Sequence, residues 1–247
     1  MPLLCVIPAR IGSTRLPEKP LRQIAGTPLI TLVAEHARAL GLAGDLVVAT
    51  DDARVAALAE AAGVDAVLTD PRHRSGTERV AEVLARAAYA HADVILNIQG
   101  DEPFIPTRAV HGALARIARG DPIGTAAAPL APERVNDPHR VKVAIDVHGH
   151  ATGFSRAPLP AGEGASSEYL QHVGVYAYTR KALLDWVRWT PVTEEENERL
   201  EQLRPLGHGV CIGVAVLAEE VPPGIDTEDD LRNAEAWLAN QEREVNA

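Results

Sequence analysis

Apolar residues in the first half of the chain come in short runs separated by stretches with helical spacing. Strand-like runs occupy 3–7, 46–49, 66–68, 94–98 and 124–129, and the stretches 29–39, 53–62, 77–90 and 107–119 read as helices rich in Ala, the strongest helix former. Alternation of this kind is the sequence form of βαβ units, in which near-continuous apolar strands are buried in a parallel sheet. From Val141 the rhythm changes. Strands at 142–146 and 151–155 precede a Gly/Ser/Pro loop at 158–167, and a strand at 172–178, helices at 181–187 and 194–203, a strand at 211–216 and a helix at 227–241 follow. The pattern predicts an α/β fold, Rossmann-like, with a mostly parallel sheet flanked by helices. It is expected as a single domain, 1–247, with a small antiparallel insertion at about 142–205.

Composition narrows the partners. With 247 residues, 46% of them hydrophobic, the chain can bury a sizeable core. A formal net charge of −10 argues against nucleic acid or an anionic membrane, either of which calls for an extended basic face, so small-molecule substrates are expected. No apolar run approaches the roughly 20 residues that span a bilayer, and the chain enters a strand without a signal-type segment, so a cytoplasmic location is expected. Cys5 and Cys211 lie in apolar strand patterns without metal spacing and read as buried free thiols.

Against that acidic background, positive charge is concentrated after the first strand, where Arg10, Arg15, Lys19 and Arg22 stand against Glu18 alone. Arg forks, a Lys point charge and the N–H groups of a loop holding Gly12 and Ser13 suit an anion, and triphosphate is the natural candidate. The loop follows the carboxyl end of a strand, where open α/β sheets gather ligands, yet it is neither a P-loop nor a dinucleotide fingerprint. A second constellation is the strand that opens onto Gly100-Asp101-Glu102-Pro103. A carboxylate held just past a buried strand suits a hard cation, so Asp101 is a candidate metal ligand. The acidic cluster 226–230 precedes the last helix. Asp226 is the candidate there, with Glu228, Asp229 and Asp230 reading as first-turn acids. Ser75 and Glu78 form a capping box, while Gly76 and the flanking Arg74 and Arg79 also suit an anion or a base edge at a helix N-terminus. His172, Gly174 and Tyr176 share a strand face by period-two alternation and offer two hydrogen-bonding side chains to a polyhydroxylated ligand.

These residues fall into ordered motifs: I-P-A-R-x-x-S-T-R-L-P-x-K-P-L at 7–21, A-T-D-D at 49–52, S-G-T-E-R at 75–79, Q-G-D-E-P at 99–103, F-S-R-A at 154–157, H-x-G-x-Y at 172–176, L-E-Q-L-R at 200–204 and D-T-x-x-D-L at 226–231. Over nearly its whole length the chain resembles the 3-deoxy-manno-octulosonate (Kdo) cytidylyltransferase family of the sugar nucleotidyltransferases. The resemblance implies transfer of CMP from CTP to the anomeric hydroxyl of Kdo, with Mg²⁺ required and pyrophosphate released. It implies that Arg10, Ser13 and Lys19 hold the triphosphate with Arg15 close by in the nucleotide site, and that Ser75, Gly76, Arg79 and Gln99 help seat the nucleotide. Asp101 and Asp226 would bind metal, with Arg10 and Lys19 beside them in the catalytic set. Arg156, His172, Tyr176, Glu201 and Gln202 would face the sugar acid, with Arg156 as carboxylate partner. It further implies a homodimer, and the contacts are expected around 172–204, which carries Trp186 and Trp189, aromatic types enriched at interfaces. The competing readings are a cytidylyltransferase for another acid sugar (amino-Kdo or a sialic-type nonulosonate) and an inactive nucleotide-binding regulator. The short loop 160–167 and the segment 205–209 depart from the family's pattern and loosen the sugar assignment.

Overall fold

A computed structural model describes residues 1–13, 15–222 and 224–245, with the backbone alone for 240–245. In chain order the strands and helices are β1 (Leu3–Ala9), β2 (Gln23–Ile24), β3 (Thr27–Pro28), α1 (Leu29–Ala39), β4 (Asp45–Thr50), α2 (Ala53–Ala61), β5 (Asp65–Leu68), α3 (Gly76–Leu84), β6 (Val94–Ile98), α4 (Thr107–Ala118) and β7 (Ile123–Pro129). They continue as β8 (Lys142–Ile145), β9 (Ala151–Ser155), β10 (Leu170–Thr179), α5 (Arg180–Trp186), α6 (Thr193–Glu198), α7 (Leu203–Gly207), β11 (Ile212–Val216) and α8 (Glu228–Val245). The class is the expected one: α/β, with a mixed, mostly parallel sheet flanked by helices. The chain forms two compact units, one comprising 1–4, 87–97 and 105–222, the other 5–86, 98–104 and 223–247.

In the unit built on 5–86, β4 lies between β1 and β5 and pairs with β5 in parallel. The six residues Leu4 to Ala9 of β1 are all buried, which is why their hydrophobicity is continuous rather than alternating. Helices α1, α2 and α3 pack on β4. Helix α2 starts at Asp52, whose carboxylate accepts the Arg54 N–H. Helix α3 starts at Ser75, whose hydroxyl accepts the Glu78 N–H at 3.2 Å. Only half of the expected capping box forms, because Glu78 Oε2 accepts instead from the Arg74 N–H at 2.8 Å.

In the other unit the strand order is β11-β7-β10-β6. Strand β11 is parallel to β7, whereas β10 is antiparallel to β7 and to β8, which pairs antiparallel with β9. The segment 142–205, expected as an antiparallel insertion, lies wholly in this unit. Helix α4 packs on β7 so closely that a Cβ on Gly124 would stand 2.2 Å from the Ala113 carbonyl oxygen, so that position admits only glycine.

Three expectations need correction. The helix expected over 194–203 is two helices, α6 and α7, because Arg199 takes a left-handed conformation (φ 55°) between them. The helix expected over 77–90 ends at Leu84 and is followed by a 3₁₀ turn at Ala87–Tyr89. Cys5 is buried, and burial pushes its thiol up to about 12, but Cys211 is exposed because β11 begins only at Ile212.

Candidate functional site

The nucleotide-side candidates all fall in the unit built on 5–86. Gly100 makes the turn after β6 possible: a Cβ there would lie 2.6 Å from the Pro8 carbonyl oxygen, so the turn can press against the end of β1 only with glycine. The Asp101 carbonyl then accepts from the Ile225 N–H at 2.8 Å, which brings Asp226 beside Asp101. The Lys19 ammonium donates to Asp101 Oδ2 (2.7 Å), to Asp226 Oδ1 (2.8 Å) and to the Ile225 carbonyl (2.9 Å), so all three of its donors are engaged. Burial alone lowers the pKa of such a lysine, but the charges and hydrogen bonds of Asp101 and Asp226 outweigh it and raise the value. Arg15 pairs with Asp226 Oδ1 at 2.9 Å, and Arg10 lies exposed at the end of β1.

Asp226 is available for this because it does not cap α8. Asp230 Oδ2 accepts from the N–H groups of Asp226 (3.0 Å) and Thr227 (2.8 Å), and Thr227 Oγ1 accepts the Asp230 N–H at 3.2 Å. Thr227 and Asp230 form the capping pair, so Asp230 is more than a first-turn acid. Ser13 closes its own loop, with Oγ accepting the Leu16 N–H at 3.3 Å. Gly76 stands beside Pro8 and the Gln99 amide, which puts Gln99 near the start of α3. Arg79 is buried, hydrogen-bonded to Thr69 Oγ1 and 3.5 Å from Asp51 Oδ2, while Asp51 Oδ1 accepts the Ile11 N–H at 3.1 Å. Asp51 therefore ties the basic loop to α3. The two aspartates of A-T-D-D divide the work, Asp51 holding the loop and Asp52 capping α2.

The acid-sugar candidates all fall in the other unit. Strand β10 carries a bulge between Val173 and Tyr176 opposite Thr125, yet the His172 and Tyr176 rings still lie 5.2 Å apart. The Thr125 hydroxyl donates to the Val175 carbonyl (2.7 Å) and so accepts from His172 Nε2–H at 3.0 Å. This arrangement assigns the neutral tautomer with Nδ1 as acceptor. Burial drives the His172 pKa down to about 4. Tyr176 is 5% exposed, and its Oη has no hydrogen-bond partner among the described residues. Burial first, then Tyr178 and Glu201, push its hydroxyl well above the ordinary tyrosine value, which also places Glu201 near that ring.

Gln202 is buried. The segment carrying Glu201 and Gln202 is held by a bidentate pair in which Arg204 donates to Glu195 at 2.8 and 2.5 Å. Arg156 follows β9, its Nε and Nη1 donating to the carbonyls of Glu198 and Pro138, both at 3.0 Å. Trp186 packs against Tyr176 and Tyr178 with 1% exposure, so it is a core residue and not an interface residue; Trp189 stacks on His208.

Sequence reading assigned no role to Asp51, although it lies in the A-T-D-D motif, and passed over Thr125, Glu195, Glu198 and Lys142, whose partners are set by the folded chain. A basic loop beside two convergent carboxylates, in an α/β fold at strand ends, defines a phosphate-handling transferase. The chain matches the cytidylyltransferase family over residues 4–213. It is 48% identical over 95% of its length to a 3-deoxy-manno-octulosonate cytidylyltransferase of Gemmatimonas aurantiaca, covering 93% of that protein. It is 41% identical over 97% of its length to one of Tolumonas auensis, covering 98% of that protein. A solved structure of CMP:2-keto-3-deoxy-manno-octonic acid synthetase complexed with CTP superposes with a TM-score of 0.87 at 37% identity, covering 98% of this chain and 100% of that one. The chain belongs to the 3-deoxy-manno-octulosonate cytidylyltransferases of the cytidylyltransferase family.

Proposed function

We propose that this chain transfers CMP from CTP to the anomeric hydroxyl of Kdo, giving CMP-Kdo for lipopolysaccharide precursor synthesis. The Kdo oxygen forms the new bond to the α-phosphorus, the bond from that phosphorus to the pyrophosphate oxygen breaks, and the hydroxyl proton leaves to solvent or base. The observation that carries the reading is the convergence of Asp101 Oδ2 and Asp226 Oδ1 on one cationic nitrogen, 2.7 and 2.8 Å away, beside the basic loop.

Two hard carboxylate oxygens already gathered around a cation fit Mg²⁺, so Asp101 and Asp226 are the residues to hold it. Bound there, the ion offsets charge on the triphosphate. Arg10, Ser13, Arg15 and Lys19 bind the triphosphate, with Arg10 and Lys19 neutralising the transferring and leaving groups. Ser75, Gly76 and Gln99 seat the nucleotide at the start of α3, where Arg79, fixed by Asp51, holds the loop and the helix together. Arg156 takes the sugar carboxylate, while His172, Tyr176, Glu201 and Gln202 bond its hydroxyls. Nucleotidyl transfer of this kind rests on positioning and charge neutralisation and needs no protein nucleophile.

The same reading makes the chain a homodimer in the cytoplasm; among the described residues no helix is long and apolar enough to cross a membrane. Incubation with CTP, Mg²⁺ and Kdo is expected to yield CMP-Kdo and pyrophosphate in equal amounts. Asp101→Ala is expected to lower kcat by at least about 10²–10³-fold with an unchanged circular dichroism spectrum. Near-normal turnover in that variant would end the metal-ligand assignment.

A further inference from the structure

Three hydrogen bonds run from the last residue of α6 to the end of β9. The Glu198 carboxylate accepts from Ser155 Oγ (2.8 Å) and from the Arg156 N–H (2.9 Å), and the Glu198 carbonyl accepts from Arg156 Nε (3.0 Å). The Arg156 carbonyl accepts in turn from the ammonium of Lys142, a buried residue that also donates to the carbonyls of Asp137 (2.9 Å) and Arg140 (2.7 Å). Arg156 is thus fixed at its N–H, its carbonyl and its guanidinium. The two groups that receive its guanidinium are neutral carbonyls, which leaves its charge to be met by an anion. Immediately after Glu198 the left-handed Arg199 turns the chain toward Glu201 and Gln202.

We infer that Glu198 is a positioning residue for the acid sugar, joining the strand end that carries Arg156 to the segment that carries Glu201 and Gln202, so that carboxylate and hydroxyl recognition keep one fixed spacing. The inference rests on the sugar-side reading of those three residues. A surface ion pair is worth little, but a carboxylate that accepts from a backbone N–H and a neighbouring hydroxyl fixes the orientation of the main chain.

The test compares Glu198→Ala, Glu198→Gln, Arg156→Ala and the double variant Glu198→Ala/Arg156→Ala in the full chain. Glu198→Ala is expected to raise the KM for Kdo by about tenfold, with the KM for CTP within about twofold and kcat changed less than the KM for Kdo. Glu198→Gln is expected to recover most of the loss, since its amide oxygen still accepts from Arg156. The double variant is expected to be no worse than Arg156→Ala alone, because Glu198 acts on the sugar only by placing the Arg156 guanidinium, which that variant already lacks. Amide hydrogen exchange at Arg156, read without substrate, is expected to speed up in Glu198→Ala. Faster exchange with an unchanged KM for Kdo would reduce Glu198 to a structural tie, and additive losses in the double variant would show that it acts apart from Arg156. Should Arg156→Ala itself leave the KM for Kdo unchanged, the sugar-side reading fails and the inference falls with it.

Discussion

Lys19 shows how far a single side chain can be read from sequence. Its place in a basic loop marks it as a phosphate ligand, yet the structure has its ammonium held by the two carboxylates proposed to bind metal. Without nucleotide, an ammonium in that position competes with a divalent cation. Lys19→Ala is therefore expected to bind Mn²⁺ more tightly than the parent chain when CTP is absent, by roughly tenfold, and to use CTP less well when it is present. Electron paramagnetic resonance titration measures the first effect, and equal Mn²⁺ affinities would place the carboxylates outside the metal site. Tyr176 makes the converse case. Its hydroxyl is buried and bonds nothing among the described residues, so Tyr176→Phe removes no hydrogen bond within them and is expected to leave the thermal midpoint unchanged or slightly higher. The same change is expected to cost about 1–3 kcal/mol of Kdo recognition, seen as a raised KM for Kdo with the KM for CTP within a few-fold. A fall in stability with unchanged kinetics would make the hydroxyl a structural group.

At the scale of elements, legibility followed the range of the interactions that decide each one. Helix α1 matches the expected bounds at both ends and β6 does too, because an apolar pattern over a whole element is a local signal. The break at Arg199 was invisible, since the run 194–198 reads as an exposed acidic helix face. The Glu195 pair with Arg204 and the Glu198 bonds to Ser155 and Arg156 are tertiary interactions that override propensity there. Likewise the acids of 226–230 read alike as a charge cluster, and only the T-x-x-D spacing of Thr227 and Asp230 separates the acid that caps α8 from Asp226, which turns to Lys19. Glu195→Ala leaves the buried Arg204 guanidinium without its carboxylate, and urea unfolding is expected to show a loss of about 3–5 kcal/mol. A loss below about 1 kcal/mol would mean that the pair does not hold the turn.

Across the whole molecule, the two sets of candidate residues sort cleanly: the nucleotide set lies in one compact unit and the acid-sugar set in the other. Motif order supplied the candidates of both sets, while the residues that hold them in place came only from the structure. Stability should carry the signature of one imidazole on the sugar side. His172 titrates near 4 in the folded chain and near its ordinary 6.5 when unfolded, so between these values the unfolded chain binds more protons. Stability is then expected to rise with pH from about 4 to about 6.5, the His172 contribution being on the order of 3 kcal/mol and flat above that window. Urea unfolding at a series of pH values measures it, and a slope that is the same in His172→Gln would show that other groups cause it.

The measurement that bears most directly on the function is kcat/KM for three acid sugars, Kdo, amino-Kdo and a sialic-type nonulosonate, at saturating CTP and Mg²⁺, followed by pyrophosphate release. If the buried Tyr176 hydroxyl and His172 bond sugar hydroxyls as proposed, Kdo is expected to exceed the others by at least about 10²-fold. Comparable or faster turnover of a rival sugar would contradict the assignment of Kdo, and no pyrophosphate with any of the three would contradict cytidylyl transfer itself.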